Sequence, residues 1–144
     1  MLSSTAEYAL RVAVYLAVHA DCRPTRKEIA VASGIPVAYL VKVLRKLELS
    51  QLIQSKRGPG GGYSLTKEPG EISAFDVISA VAEIPRIKKC PLGLSNHLRL
   101  CPLHARLDSV ARLAEEAYRQ TPLTDLLPTE VREECEFPKR QLPS

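Results

Sequence analysis

Gly58-Pro59-Gly60-Gly61-Gly62 is the stretch that most narrows what this chain can become. Four glycines and a proline in five positions suit neither a helix nor a strand interior, so the run must be a turn. On one side stands Leu52-Ile53-Gln54-Ser55-Lys56-Arg57, which reads as a strand; on the other, Tyr63-Ser64-Leu65-Thr66 reads as its return. One β-hairpin is therefore fixed in mid-chain. Almost everything around it carries helical spacing, so the expected fold is mostly α with a small β-hairpin wing.

Ser3-Ser4-Thr5 offers helix N-caps, and Glu7 falls in a first turn, where a carboxylate suits the helix dipole. Leu10, Val14, Leu16 and Ala17 follow at helical spacing, giving a first helix over 4–18, broken by Asp21 to Pro24. Thr25 and Glu28 form a capping box for a short second helix containing Ile29, Ala30 and Ala32. Gly34 stops it, because glycine tolerates the left-handed conformation of a tight turn. Pro36 opens a third helix at its first position, where a missing N–H costs nothing. Leu40, Val43, Leu44 and Leu47 make its buried stripe, with Lys42, Arg45 and Lys46 toward the other side. Ser73 caps a fourth helix near 74–83, and residues 85–100 read as a loop. In a long helix over 102–119, Leu103, Leu107, Val110, Ala114 and Ala117 recur by four and three, the spacing of a coiled-coil-like seam. Leu123, Leu126 and Leu127 form a last short turn, and the charged, Pro- and Glu-containing segment from Pro128 reads as a mobile tail.

The second and third helices, joined across Gly34, have helix-turn-helix spacing, and the hairpin after them makes the motif winged. The N-terminal residues of the third helix then face base edges in a major groove: Val37, Ala38, Tyr39 and Lys42, with Arg45 behind them. The apolar ones suit thymine methyls, Tyr39 a phosphate or base, and Lys42 guanine or phosphate. Thr25 and Arg26 open the second helix beside the backbone. At the wing, Lys56, Arg57, Gly60, Gly61 and Tyr63 let main chain approach the sugar-phosphate closely, with an arginine for a narrow minor groove.

Charge supports this reading. Residues 1–67 carry 10 Lys+Arg against 4 Asp+Glu, a net of +6; residues 68–144 carry 10 against 12, a net of −2. A basic half joined to a slightly acidic half suggests a polyanion-binding module plus a second module. No apolar run is long enough for a membrane span, and residues 1–7 lack a basic stretch before an apolar one, so a cytoplasmic location is the expectation. No nucleophile–base pair, Walker glycine–lysine pattern or metalloprotease motif appears, which argues against an enzyme. The competing reading is a winged helix that binds a protein partner through its glycine-rich wing, without DNA or metal.

Several stretches resemble one family. Thr5-Ala6-Glu7-Tyr8-Ala9-Leu10-Arg11, the Tyr39-Leu40 pair, Arg57 to Leu65, and Glu71-Ile72-Ser73 leading into Val77-Ile78 are similar to the IscR/NsrR/CymR-type (Rrf) bacterial winged helix-turn-helix regulators, over about residues 1–127. The resemblance implies a homodimer whose long C-terminal helices cross, and a palindromic double-stranded operator. It implies Arg57 as the minor-groove arginine, and a DNA-binding regulator, expected to be a repressor. It divides the chain into a DNA-binding domain (1–83), a cysteine-containing sensor loop (84–101), a dimerisation helix (102–127) and the tail (128–144). Pro36, Ala38 and Val41 depart from the more polar third helix of IscR-like members, so no operator sequence carries over.

Many members of this family hold an iron–sulfur cluster on three loop cysteines. Here Cys90 and Cys101 stand in place and the middle cysteine is missing, with His97 close to that position. Cys101-Pro102-Leu103-His104 matches the end of the family pattern, in which the histidine is itself a ligand of IscR-like members. Glu7 aligns with an acidic ligand that some members supply from the partner subunit. The resemblance therefore implies Cys90, Cys101, His104, His97 and Glu7 as candidate ligands of a [2Fe–2S] cluster, in which mixed Cys/His ligation has precedent. Each has a plainer alternative: a reversible Cys90–Cys101 disulfide, a His104 that packs on the long helix, an exposed loop His97, and a Glu7 that serves its helix N-terminus. Cys22 and Cys135 stand alone, as incidental thiols.

Overall fold

A computed structural model describes residues 1–87, 89–90, 92–93 and 101–128; His97, Cys135 and the tail over 129–144 lie outside the described residues. The elements follow the expected order. α1 (Ser4–Val18) starts at Ser3, whose hydroxyl accepts the Ala6 N–H at 3.2 Å. Its inward face is Ala6, Ala9, Val12, Ala13, Leu16 and Ala17; Leu16 and Ala17 of the expected stripe are buried, while Leu10 and Val14 are only half-buried. The expected stripe is thus rotated toward the alanines. Small side chains let α1 lie close to its neighbours, and it packs against α2 (Arg26–Ser33), α3 (Val37–Leu49) and α4 (Ala74–Val81).

α2 has the full capping box: Thr25 Oγ1 accepts the Glu28 N–H at 3.3 Å and the Glu28 carboxylate accepts the Thr25 N–H at 2.7 Å. Gly34 closes it in the left-handed conformation, φ 65° and ψ 27°. Pro36 stands one place earlier than expected. It is the N-cap of α3, with ψ 134°, rather than its first helical residue. A proline there fixes the entry of the chain but offers no side-chain acceptor. α4 stops at Val81, two residues short of expectation, because Ala82 is extended at φ −146° and ψ 152°.

β1 (Ile53–Lys56) and β2 (Gly62–Leu65) pair antiparallel, Ile53 opposite Leu65 and Lys56 opposite Gly62. The base of the hairpin is held by the Thr66 N–H, which donates to the Leu52 carbonyl at 3.0 Å, and by the Thr66 hydroxyl on the Gln51 carbonyl. The hairpin is also fastened sideways. The Tyr63 N–H donates to the Pro24 carbonyl at 2.9 Å, so the segment between α1 and α2 lies along β2. Gly62 lies against it so closely that any Cβ would collide with the Arg23 carbonyl.

α5 (Pro102–Arg119) sits outside this core, and His104 is the one buried residue along it. It is strapped at both ends. At its C-terminal end, Ala74 N–H donates to the Thr121 carbonyl and Leu123 N–H to the Ile72 carbonyl, both at 2.8 Å. Leu123, in a short 3-10 turn (Leu123–Leu126), is fully buried in the main core. Among the described residues no helix is long and apolar enough to cross a membrane.

Gly62→Ala should therefore prise the hairpin from the helical body. A destabilisation of about 1–3 kcal/mol is expected, as for other overpacked sites, read from urea unfolding. An unchanged midpoint would mean that the hairpin is not held at this point.

Candidate nucleic-acid interface and cysteine site

The buried stripe of α3 (Leu40, Val43, Leu44, Leu47) locks the helix to the core and dictates which side chains point outward. Ala38, Val41, Lys42 and Arg45 are exposed, as are Val37 and Tyr39, each 56% accessible. Tyr39 leans toward α1: its ring centroid lies 6.2 Å from that of Tyr8, and the Arg11 guanidinium sits 5.6 Å from the Tyr8 centroid. Sequence reading had Tyr8 and Arg11 only as part of a family motif. Their place beside Tyr39 depends on how α1 crosses α3, which local spacing does not encode.

Arg26 is exposed at the start of α2, whereas the oxygen of Thr25 is engaged in the cap. Lys46, expected among the outward cations, instead donates to the Val81 carbonyl at 3.0 Å, tying α3 to the end of α4. Lys56 ends β1, and Arg57 stands exposed at the entry to the turn. Gly60 lies open at φ 72°, while a Cβ on Gly61 would strike the Lys56 and Gly58 carbonyls. Tyr63 is half-buried beside Pro24. The structure therefore sets an exposed α3 face and a cationic hairpin on one rigid body, joined through the short Ser50–Leu52 connection.

Cys90 and Cys101 come together, with Sγ to Sγ 3.6 Å and both half-buried. This is well beyond the ~2.05 Å of a disulfide. Cys101 is also the N-cap of α5, accepting the His104 N–H at 3.3 Å. His104 is 7% exposed, and its Nε2 meets the Ile87 carbonyl at 3.1 Å, which calls for the tautomer protonated there. Cys101, not His104, caps α5, and His104 is buried against Ile87. Glu7 lies exposed in the first turn of α1. Among the described residues no group of three or more His, Cys, Asp or Glu side chains is placed to hold a metal within one protomer.

Just before the cysteine pair, Arg86 clamps the connecting segment onto α5. Its Nε and Nη2 donate to the two Asp108 carboxylate oxygens at 3.1 and 3.3 Å, and its Nη1 reaches Glu115 at 3.4 Å. Glu115 also accepts from Arg119 at 2.9 Å, and the Arg119 guanidinium stacks 3.4 Å from the Phe75 ring of α4. The Asp108 carboxylate holds Arg86 above the ordinary arginine range. The Arg119 hydrogen bond holds Glu115 below the ordinary carboxylate value.

On α5, Leu103, Leu107 and Val110 are 47%, 40% and 56% exposed, Ala114 is half-buried and Ala117 exposed. Leu113, absent from the expected seam, is 61% exposed beside them. An apolar groove of about 300 Å³ runs between this helix and residues 84–87, lined by Leu107, Val110, Ala111 and Ala114.

Comparison with known proteins places this arrangement. The Rrf2 family profile, described as an iron-dependent transcriptional regulator, matches residues 2–129. The HTH-type transcriptional regulator IscR of Aliivibrio salmonicida is 40% identical over 90 residues, which is 62% of this chain and 54% of that protein. The chain thus spans about half the length of this relative. Among solved structures, T. potens IscR has a TM-score of 0.74 at 25% identity, covering 88% of this chain and 85% of that one. CymR, the global cysteine regulator of B. subtilis, has a TM-score of 0.71 at 26% identity, covering 88% and 95%.

The clamp carries a pH signature. Glu115 is held below its unfolded value, so its stabilisation is fully present above the ordinary carboxylate range. It is lost as pH falls through the lowered folded-state value. Glu115→Gln should lower the urea midpoint at pH 7 and approach the parent protein as the pH falls well below the ordinary carboxylate range. A deficit that stays constant over that range would show that the carboxylate charge contributes nothing.

Proposed function

The chain belongs to the Rrf2 family of transcriptional regulators, and from that membership we propose that it is a cytoplasmic repressor that grips a palindromic operator as a homodimer. The observation that carries the reading is the pairing, on one rigid body, of an outward α3 face with a glycine-rich cationic hairpin. Val37, Ala38 and Lys42 enter the major groove, with Arg45 toward its edge and Tyr39, drawn toward Tyr8, at the flanking backbone. Arg26 and the α2 N-terminus meet the flanking phosphates, where unsatisfied N–H groups favour an anion. Lys56 and Arg57 follow the backbone into the adjoining minor groove. Gly60 and Gly61 keep that approach free of side chains.

The uncovered stripe Leu103, Leu107, Val110 and Leu113 is the surface that a second copy of α5 covers, with Ala114 and Ala117 allowing close crossing. Burying such side chains is worth about 25 cal/mol per Å², and two copies of one surface match by symmetry.

Cys90 and Cys101 form the sensing site. Two thiolates on one tetrahedral metal at about 2.3 Å stand about 3.8 Å apart, close to the 3.6 Å found here. His104 engages the Ile87 carbonyl through Nε2, the arrangement by which a metal-binding histidine is usually oriented, leaving Nδ1 as the ligand atom. Cys90 and Cys101 would supply two ligands of a [2Fe–2S] cluster; no third donor among the described residues of the protomer is placed beside them, so His104 would have to turn toward the pair, with Glu7 of the partner subunit or His97 completing the set. Bound there, the cluster would supply one-electron chemistry that mixed ligation tunes. The same two sulfurs are also close enough for reversible disulfide formation after a small movement.

Arg57→Ala should weaken binding of duplex DNA and flatten its dependence on salt by about one unit of slope. Electrophoretic titration across 50–200 mM salt measures both, and an unchanged slope would remove Arg57 from the interface. Protein purified without oxygen should contain iron and absorb near 400–460 nm, and Cys90→Ala should abolish both. Colourless, iron-free protein after reconstitution would leave the pair to disulfide chemistry.

A further inference from the structure

The outward face of α3 changes character along its length. Residues 37–41 are Val, Ala, Tyr, Leu and Val, and the first charged side chains are Lys42 and then Arg45. Leu40 is in the core, and Tyr39 is drawn aside toward Tyr8 on α1. What projects from the first turn and a half is therefore Val37 at 56% exposure, Ala38, and Val41 at 39%. The N-terminal residues of a helix in this position are the ones that meet base edges. Reading guanine, adenine or cytosine by hydrogen bonds takes Arg or Lys, Asn or Gln, and Asp or Glu respectively. None of these stands in that segment. The one major-groove feature that an aliphatic surface recognises is the C5-methyl group of thymine.

We propose that this chain selects its operator chiefly by thymine methyl groups, which pack against Val37, Ala38 and Val41, while Lys42 and Arg45 supply affinity behind them. Ala38 lies near the centre of the exposed face, where its small side chain lets the helix sit deep enough for its two valine neighbours to reach. The inference rests on the DNA-binding reading above and gives it a chemical specificity.

Deoxyuridine tests it directly, because it keeps every Watson–Crick and groove hydrogen bond of thymidine and lacks only the methyl. Duplexes selected by the full-length protein from a random pool are resynthesised with deoxyuridine in place of thymidine. Loss of about fourfold in affinity is expected per contacted methyl, hence about 16-fold for two, the equivalent of about 0.8 kcal/mol each. Val37→Ser and Val41→Ser should each weaken the thymidine duplex and reduce its preference over the deoxyuridine duplex, and the two combined should remove most of that preference.

Equal affinity of the parent protein for both duplexes, with Arg57→Ala still weakening binding, would overturn methyl reading and leave the DNA-binding reading intact. Full deoxyuridine sensitivity retained in the serine variants would place the methyl effect in duplex shape, and would overturn it as well. If no duplex is enriched at all, both readings fall together.

Discussion

Much of this architecture depends on a single backbone contact. The Tyr63 N–H on the Pro24 carbonyl, with Gly62 pressed against Arg23, fixes the hairpin to the connection between α1 and α2. An isolated two-stranded hairpin is marginal in water. Leu52 and Ile53 root the base of the hairpin in the core, and the α1–α2 connection holds its return strand, so less entropy remains to be lost when the wing meets a ligand. The contact is possible because residue 62 has no side chain, and because Arg23 accepts a positive φ of 44°. The glycine run thus serves two ends: Gly58, Gly60 and Gly61 form the turn, and Gly62 docks it.

Local chemistry made most of the elements legible. α1, α2, α3 and α5 start at or beside Ser3, the Thr25–Glu28 box, Pro36 and Pro102, because start signals act over three or four residues. Contacts that join distant segments were not legible. Examples are the rotation of α1 onto its alanine face, the Tyr8–Tyr39 contact, the diversion of Lys46 to the Val81 carbonyl, and Leu123 returning to the core. Each depends on how helices cross, and sequence spacing is silent on that. At the cysteine site, the family resemblance pointed to Cys90, Cys101 and His104. It could not foretell that Cys101 would cap α5 or that the imidazole would turn toward Ile87.

The cysteine segment and α3 are joined by a continuous set of contacts. Arg86 holds residues just before Cys90 to Asp108 and Glu115; Glu115 holds Arg119; Arg119 covers Phe75; and the end of α4 receives Lys46 from α3. Exposed ion pairs contribute little individually to stability. Their value here is geometric: a bidentate guanidinium keeps two turns of α5 in register with the incoming chain.

The bare stripe on α5 has a thermodynamic corollary. Under the proposal that a second protomer covers Leu103, Leu107, Val110 and Leu113, which stand exposed on one protomer, folding and assembly would share one equilibrium, and mass action would enter the stability. A melting temperature for this protein is then meaningful only alongside the dilution at which it was recorded. The number of copies in a cell becomes one of the quantities that decide how firmly each copy is folded.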